Sequence, residues 1–133
     1  MKPRLFGLVT IYLSTIMFSF AAESKVFISE SRQVLPEFEW NREIIAGINV
    51  KIKCEIENSE GALNVILIAE RSYKALMSGD SENMKNEDLI FYKESTTGKV
   101  QAVIKPPRIG SYWFILKNEA KASSKITLKC SNI

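Results

Sequence analysis

Apolar and polar positions alternate along most of this chain. From Asn49 to Glu57, Val50, Ile52, Cys54 and Ile56 fall on one side, and Asn49, Lys51, Lys53, Glu55 and Glu57 on the other. That is the period of a strand with one buried face. Asn58-Ser59-Glu60-Gly61 predicts a turn. Leu63 to Ala69 is almost continuously apolar and rich in β-branched residues, which predicts a central strand covered on both faces. Further strands are predicted over Leu89 to Glu94, Lys99 to Lys105, Ser111 to Lys117 and Ser124 to Cys130. Ser95-Thr96-Thr97-Gly98, Pro106-Pro107-Arg108-Ile109-Gly110 and the polar stretch Asn118 to Ser123 separate them. The two prolines cannot donate ladder hydrogen bonds, so a strand must stop there.

The N-terminal third carries a weaker pattern. Lys25 to Ile28 reads as a short edge strand and Glu37 to Asn41 as another, with Phe38 and Trp40 in the core and Ile44 to Gly47 leading onward. One segment has a different period. Glu70 to Ser78 places Tyr73, Leu76 and Met77 at helical spacing among good helix formers, with Gly79 as a stop signal. It predicts a short helix whose Tyr73 and Met77 lid one end of the domain, followed by a charged loop from Ser81 to Glu87. Seven to eight short strands with one helical segment predict an all-β fold, a two-sheet antiparallel β-sandwich of jelly-roll or immunoglobulin-like type.

The start of the chain has a separate logic. Lys2 and Arg4 precede a mostly apolar, uncharged run from Leu5 to Phe20, then Ala21, Ala22 and the first acid, Glu23. A basic start, a short apolar core and small residues at its end describe a secretory signal peptide. Cleavage after Ala21 places Ser19 and Ala21 at the −3 and −1 positions; cleavage after Ala22 would place Phe20 at −3. The run is short and rich in hydroxyls for a retained membrane span. The expected organisation is a signal peptide over 1–22 and a single domain over 23–133, with no membrane span in the mature chain. The expected location is outside the cell, in a periplasm or in a secretory lumen.

Composition narrows this further. The chain holds 18 basic and 15 acidic residues, and Lys2 and Arg4 leave with the leader. The nearly balanced remainder argues against nucleic acid as a partner, which needs a clustered basic face. Cys54 and Cys130 are the only cysteines. In an oxidising compartment an even pair reads as a disulfide. Each shares the parity of the apolar residues in its strand, so both are expected to face the core.

The second half also carries a motif series. Tyr73 and its neighbours are followed by a charged loop, a strand, Gly98, a strand, the proline turn, Gly110-Ser111-Tyr112-Trp113-Phe114, and Asn118 before a last strand. This series resembles the GOLD (Golgi dynamics) domain, a β-sandwich found in the luminal part of coat-vesicle cargo receptors and in assorted secreted or bacterial modules. The family pattern of a Gly, an aromatic two positions on, and an Asn at the strand's end is met by Gly110, Tyr112 and Asn118. The paired cysteines of luminal members are echoed by Cys54 and Cys130, at a different spacing. The likeness spans residues 48 to 130. It implies a free-standing binding module, without the coiled coil and membrane span of the cargo receptors.

The available chemistry points away from catalysis. There is no histidine, hence no Ser-His or Cys-His arrangement, and glycines occur singly rather than in a phosphate-binding loop. Two acidic groups occur, Glu55/Glu57/Glu60 and Asp80/Glu82/Glu87/Asp88. They are expected to be solvated; the second lacks EF-hand spacing and has Lys85 inside it. No catalytic residue, metal site or cofactor is expected. Tyr73, Arg108 and Trp113 are the candidate binding residues. Trp113 has the opposite parity to Tyr112 and Phe114, so it lies either on an exposed outer face or beneath a cover. The expected function is a non-catalytic binding or adaptor domain that engages a protein partner through the Glu70–Asp88 and Pro106–Gly110 loops. The alternatives are an envelope structural or assembly subunit, a carrier of small apolar ligands, or an exported hydrolase. Intact-mass analysis of the exported protein is expected to find a chain beginning at Ala22 or Glu23 with no alkylatable thiol; a retained leader overturns the reading.

Overall fold

A computed structural model describes residues 25–47 and 49–133. Ala21 and Ala22, at the expected cleavage point, lie outside the described residues. Eight strands form: β1 (Lys25–Val34), β2 (Glu39–Ala46), β3 (Ile52–Asn58), β4 (Leu63–Ala69), β5 (Leu89–Thr96), β6 (Lys99–Ile104), β7 (Gly110–Asn118) and β8 (Ser124–Asn132). One helix, α1 (Glu70–Met77), follows β4 directly, and two short 3-10 turns, Ser81–Asn83 and Asn86–Asp88, lead to β5. The strands make two four-stranded antiparallel sheets, ordered β1-β8-β3-β6 and β2-β7-β4-β5. The pairs β1/β8, β2/β7, β3/β6 and β4/β5 form one long folded ribbon. The contacts β3/β8 and β4/β7 roll that ribbon into a sandwich. Among the two architectures expected, this connectivity is the jelly roll.

The alternation read from the sequence sets the layers. Ile52, Cys54 and Ile56 of β3 and Ile126, Leu128 and Cys130 of β8 are buried on the inner face of the first sheet. Leu63, Val65 and Leu67 of β4 meet them from the second sheet with Tyr112, Phe114 and Leu116 of β7. Cys54 and Cys130 are direct cross-strand partners. Their sulfurs lie at disulfide-bonding distance, 2.12 Å, and both residues are fully buried. The bond is therefore within one sheet, across the β3/β8 contact.

The N-terminal strands depart from expectation. β1 runs well past Ile28 to Val34, with an irregular register between Val26 and Ile28. Its middle is polar because it is an edge strand whose inward positions carry charge. Glu30 accepts from Arg42 of β2 through both carboxylate oxygens, at 2.9 and 2.8 Å, and the Arg32 guanidinium stands 5.7 Å over the Trp40 ring. These contacts close the open side of the sandwich where apolar packing would otherwise be needed. β2 extends through Ile44 and Ala46, both core residues. β3 begins only at Ile52, since Asn49 adopts φ 55° and cannot continue a strand. Phe38, expected in the core, is 62% exposed on the turn into β2.

The end of the sandwich opposite α1 is tied by buried amides. Asn118 donates to the carbonyls of Val34 (2.9 Å) and Ala122 (3.0 Å), and its own carbonyl accepts from the Ala120 N–H (2.9 Å). One side chain thus fixes the end of β1 and the β7–β8 loop. Asn58 donates to Glu60 and Gly61 carbonyls and accepts from the Ser124 hydroxyl. Gly61 must be glycine: its φ is 53°, and a Cβ there would sit 2.7 Å from that of Ala120. The disulfide closes a loop with a sequence separation of 76, for which chain entropy gives about 4–5 kcal/mol. Reduction, or the double variant Cys54→Ala/Cys130→Ala, is expected to cost about that much, measured as a fall in the urea midpoint with a steeper slope, because the released unfolded chain exposes more surface.

Candidate functional site

The sequence-predicted binding residues meet around α1. The helix issues from β4 without a side-chain cap at its start. It ends in a Schellman motif: Asp80 N–H to the Ala75 carbonyl at 2.8 Å and Gly79 N–H to the Leu76 carbonyl at 3.2 Å, with Gly79 at φ 77°. The stop signal at Gly79 thus has a geometric basis. The helix lies against the outer face of the β2-β7-β4-β5 sheet rather than lidding an end. Tyr73 stacks on Trp113, ring centroids 4.3 Å apart and planes 4° from parallel, and Met77 remains largely exposed. Trp113 is therefore on the outer face and partly buried beneath the helix. Its indole N–H points to Glu70 at 3.4 Å. The outward-facing Ile68 and Ile115 are buried on that same face, which explains the unbroken apolar runs of β4 and β7.

The second half of the site is Asp88. Nothing in the sequence separates it from its acidic neighbours, all expected in solvent, yet Asp88 is fully buried. Arg71 of α1 grips both carboxylate oxygens, at 2.7 and 3.0 Å. The Ser72 hydroxyl donates at 2.5 Å, and Arg108 donates at 3.1 Å. A buried carboxylate must be paired or neutralised, and here two guanidiniums and a hydroxyl hold it ionised. Ser72 also accepts from the Lys85 N–H, at 3.1 Å. The Glu70–Asp88 segment and the 106–110 turn are thereby locked to each other.

The turn has its own clamp. Tyr112, buried in the core, donates its phenol to the Arg108 carbonyl at 2.7 Å and accepts the Arg108 N–H at 3.2 Å. This is the logic of a tyrosine corner, in which a core ring reaches back to fix the preceding loop. Arg108 is thus held through its backbone by Tyr112 and through its guanidinium by Asp88. Pro106 is buried, while Pro107 and Ile109 project. Arg71 also bridges Glu87 at 3.0 Å.

The remaining candidates stand apart. Asp80 accepts from Asn83 in its own loop, and Glu82 is exposed. Glu55 faces outward on the other sheet, 3.7 Å from Lys99. Among the described residues no group of His, Cys, Asp or Glu is placed to hold a metal ion, and no helix is long and apolar enough to cross a membrane. Comparison with protein-family models and with curated proteins gives no match.

The bond to Arg71, then those from Ser72 and Arg108, hold the Asp88 carboxyl down at about 2, against its ordinary 3.8. A group whose pKa is lower when folded stabilises the fold above its unfolded pKa and loses that contribution as pH falls through its folded one. The contribution is about 2 kcal/mol. Asp88→Asn is expected to lower stability by about 2–3 kcal/mol at neutral pH. The gap from wild type should shrink as pH falls from about 4 toward 2, read from urea midpoints across that range.

Proposed function

We propose that this chain is an exported, non-catalytic binding or adaptor domain, with its contact surface at the end of the sandwich where α1 meets the 106–110 turn. One observation carries the reading: two segments that would otherwise move independently are fastened together by Asp88. Beside the fastening, Arg108 and Ile109 face outward over a cleft of about 170 Å³ that Lys105 and Pro107 also line. A preorganised loop pair on a rigid sandwich loses little freedom when it binds. It also displays the residue types that anchor protein contacts. The GOLD-like resemblance belongs to the same proposal, since it implies a module that binds rather than reacts. The cysteine pair suits an oxidising compartment.

The rival readings have less behind them. Addition of a partner strand at β1 or β2, two of the four sheet edges, meets inward-facing charges there, a device that discourages edge pairing. A carrier of apolar ligands needs an enclosed cavity, whereas the hollow beside Arg108 opens to solvent.

A photoreactive amino acid at Ile109, in the protein expressed in its native host, is expected to give discrete cross-linked species. The same probe at Gln101, on the outer face of the other sheet, should give none of them. Equal yields at both positions, or no adduct at Ile109, reject the reading.

A further inference from the structure

The two sheets end in four edge strands, and three of them are guarded. β1 turns Glu30 and Arg32 inward and shifts register between Val26 and Ile28. β2 turns Arg42 inward beside them. β5 shifts register twice against β4, sets Lys93 opposite the core residue Val65, and carries Ser95 at φ 51°. Inward charges and bulges are devices that stop sheets from joining edge to edge. β6 has neither. Its register with β3 is unbroken from Lys99 to Ile104, and its inward residues, Val100, Ala102 and Ile104, are apolar and buried.

The backbone phase of β6 follows from two bonds. The Asn58 N–H donates to the Gly98 carbonyl at 3.0 Å, so Gly98 and every second residue after it, Val100, Ala102 and Ile104, turn their backbone groups toward β3. At the other side of β3 the Ile133 N–H donates to the Lys51 carbonyl at 3.0 Å, which gives the odd-numbered residues of β3 to β8 and leaves the even-numbered ones for β6. Lys99, Gln101 and Val103 therefore aim their N–H and C=O groups away from β3, and among the described residues no strand or side chain meets them. All three side chains are exposed on the outer face. Gly98 at φ 69° and Pro106-Pro107 bound this open stretch.

We infer that β6 pairs antiparallel with β6 of a second copy of this chain, about a two-fold axis through Gln101. The inference goes beyond the loop surface proposed above and does not depend on it. In this register Gln101 meets Gln101 of the second copy and Lys99 meets Val103 in both directions, and each pair exchanges two backbone bonds. The open stretch is symmetric about Gln101, so its own copy fits it. No like charges face one another: Lys99 lies along an aliphatic side chain, with its ammonium drawn back to Glu55 at 3.7 Å, and the Gln101 amide both donates and accepts. Sliding the strands by two residues one way sets Lys99 against Lys105; the other way carries Val103 off the strand onto Thr97. The two β1-β8-β3-β6 sheets become one of eight strands with the guarded β1 at both ends, so growth stops at two copies. The inward Lys93 keeps the neighbouring β5 edges from joining, which limits the contact to one layer.

The test uses the exported, disulfide-bonded chain. Sedimentation velocity from about 1 to about 500 µM is expected to show a monomer in exchange with a dimer and nothing larger, weak because three residue pairs fall well short of a standard interface. Gln101→Lys sets two ammonium groups opposite each other and should weaken the dimer about five-fold. Gln101→Pro removes both central donors and should abolish it, while the fold tolerates a proline whose N–H would face solvent. Phe38→Lys, on the opposite side of the sandwich, should change nothing. Under mild oxidation Gln101→Cys should link two copies, whereas Val103→Cys, about 13 Å from its own copy in this register, should not. Circular dichroism checks that each variant is folded; if the proline variant is not, Gln101→Lys and the two cysteine variants decide. A monomer throughout the range, species beyond the dimer, an unaffected Gln101→Lys, or equal linking at 101 and 103 overturns the inference. A photoprobe at Gln101 would join two copies of this chain, a product of twice its mass and distinct from any Ile109 adduct with another protein, so the two readings fail separately.

Discussion

The structure depends on one seam, the pairing of β3 with β8. Without it the β1/β8 and β3/β6 pairs of the first sheet would be separate ribbons, each with one apolar face open to water. Two-stranded ribbons are at best marginally stable alone. The seam joins residues far apart in sequence, so its closure entropy must be met before its contacts contribute. The Cys54–Cys130 bond sits on this seam, between residues that are direct register partners. A one-residue slip of β3 would turn Cys54, and with it Ile52 and Ile56, toward solvent and away from Cys130. Covalent link and hydrophobic pattern therefore specify the same register, the agreement between levels that marks a sequence with one preferred fold.

The architecture was legible wherever burial alone decides residue type. The pattern predicts β4 with its final boundaries, and β6, β7 and β8 within two residues at either end, because most of their inner positions are aliphatic or aromatic. The helix was legible from the spacing of Tyr73, Leu76 and Met77 and from Gly79. β1 was largely hidden. Its inward Glu30 and Arg32 pair with Arg42 and Trp40 across the sandwich edge, and a strand closed by ion pairs leaves no alternation to detect. Phe38 misled for the opposite reason: it keeps the parity of Trp40 but falls on the turn, where backbone bonds with Leu35 and Asn118 set the path.

Of the site, the sequence pointed to Tyr73, Trp113 and Arg108 but not to what unites them. Nothing local distinguishes Asp88 from Glu87 or Glu82. Its role arises because α1 and the proline turn come together only after the ribbon has rolled, bringing Arg71, Ser72 and Arg108 to one carboxylate. Trp113 is a related case: its parity was clear, but whether anything covered the outer face depended on where α1 came to rest. Tyr112 and Asn118 stood out in the sequence as parts of a motif. In the fold, one clamps the turn before β7 and the other ties the loop after it, so both ends of that central strand are fixed by its own side chains.

The placement of the disulfide has a consequence for survival among proteases. Among the described residues, every connection except the β1–β2 turn and the segment entering β3, α1 included, lies between Cys54 and Cys130. A single backbone cut in any of them yields two fragments that remain one molecule through the sulfur bridge. The severed ends stay within the reach set by intact strands on either side, so a nicked domain keeps its two halves at high mutual concentration. Loops can then be exposed to attack, and free to vary, without each cut releasing one part of the domain from the rest.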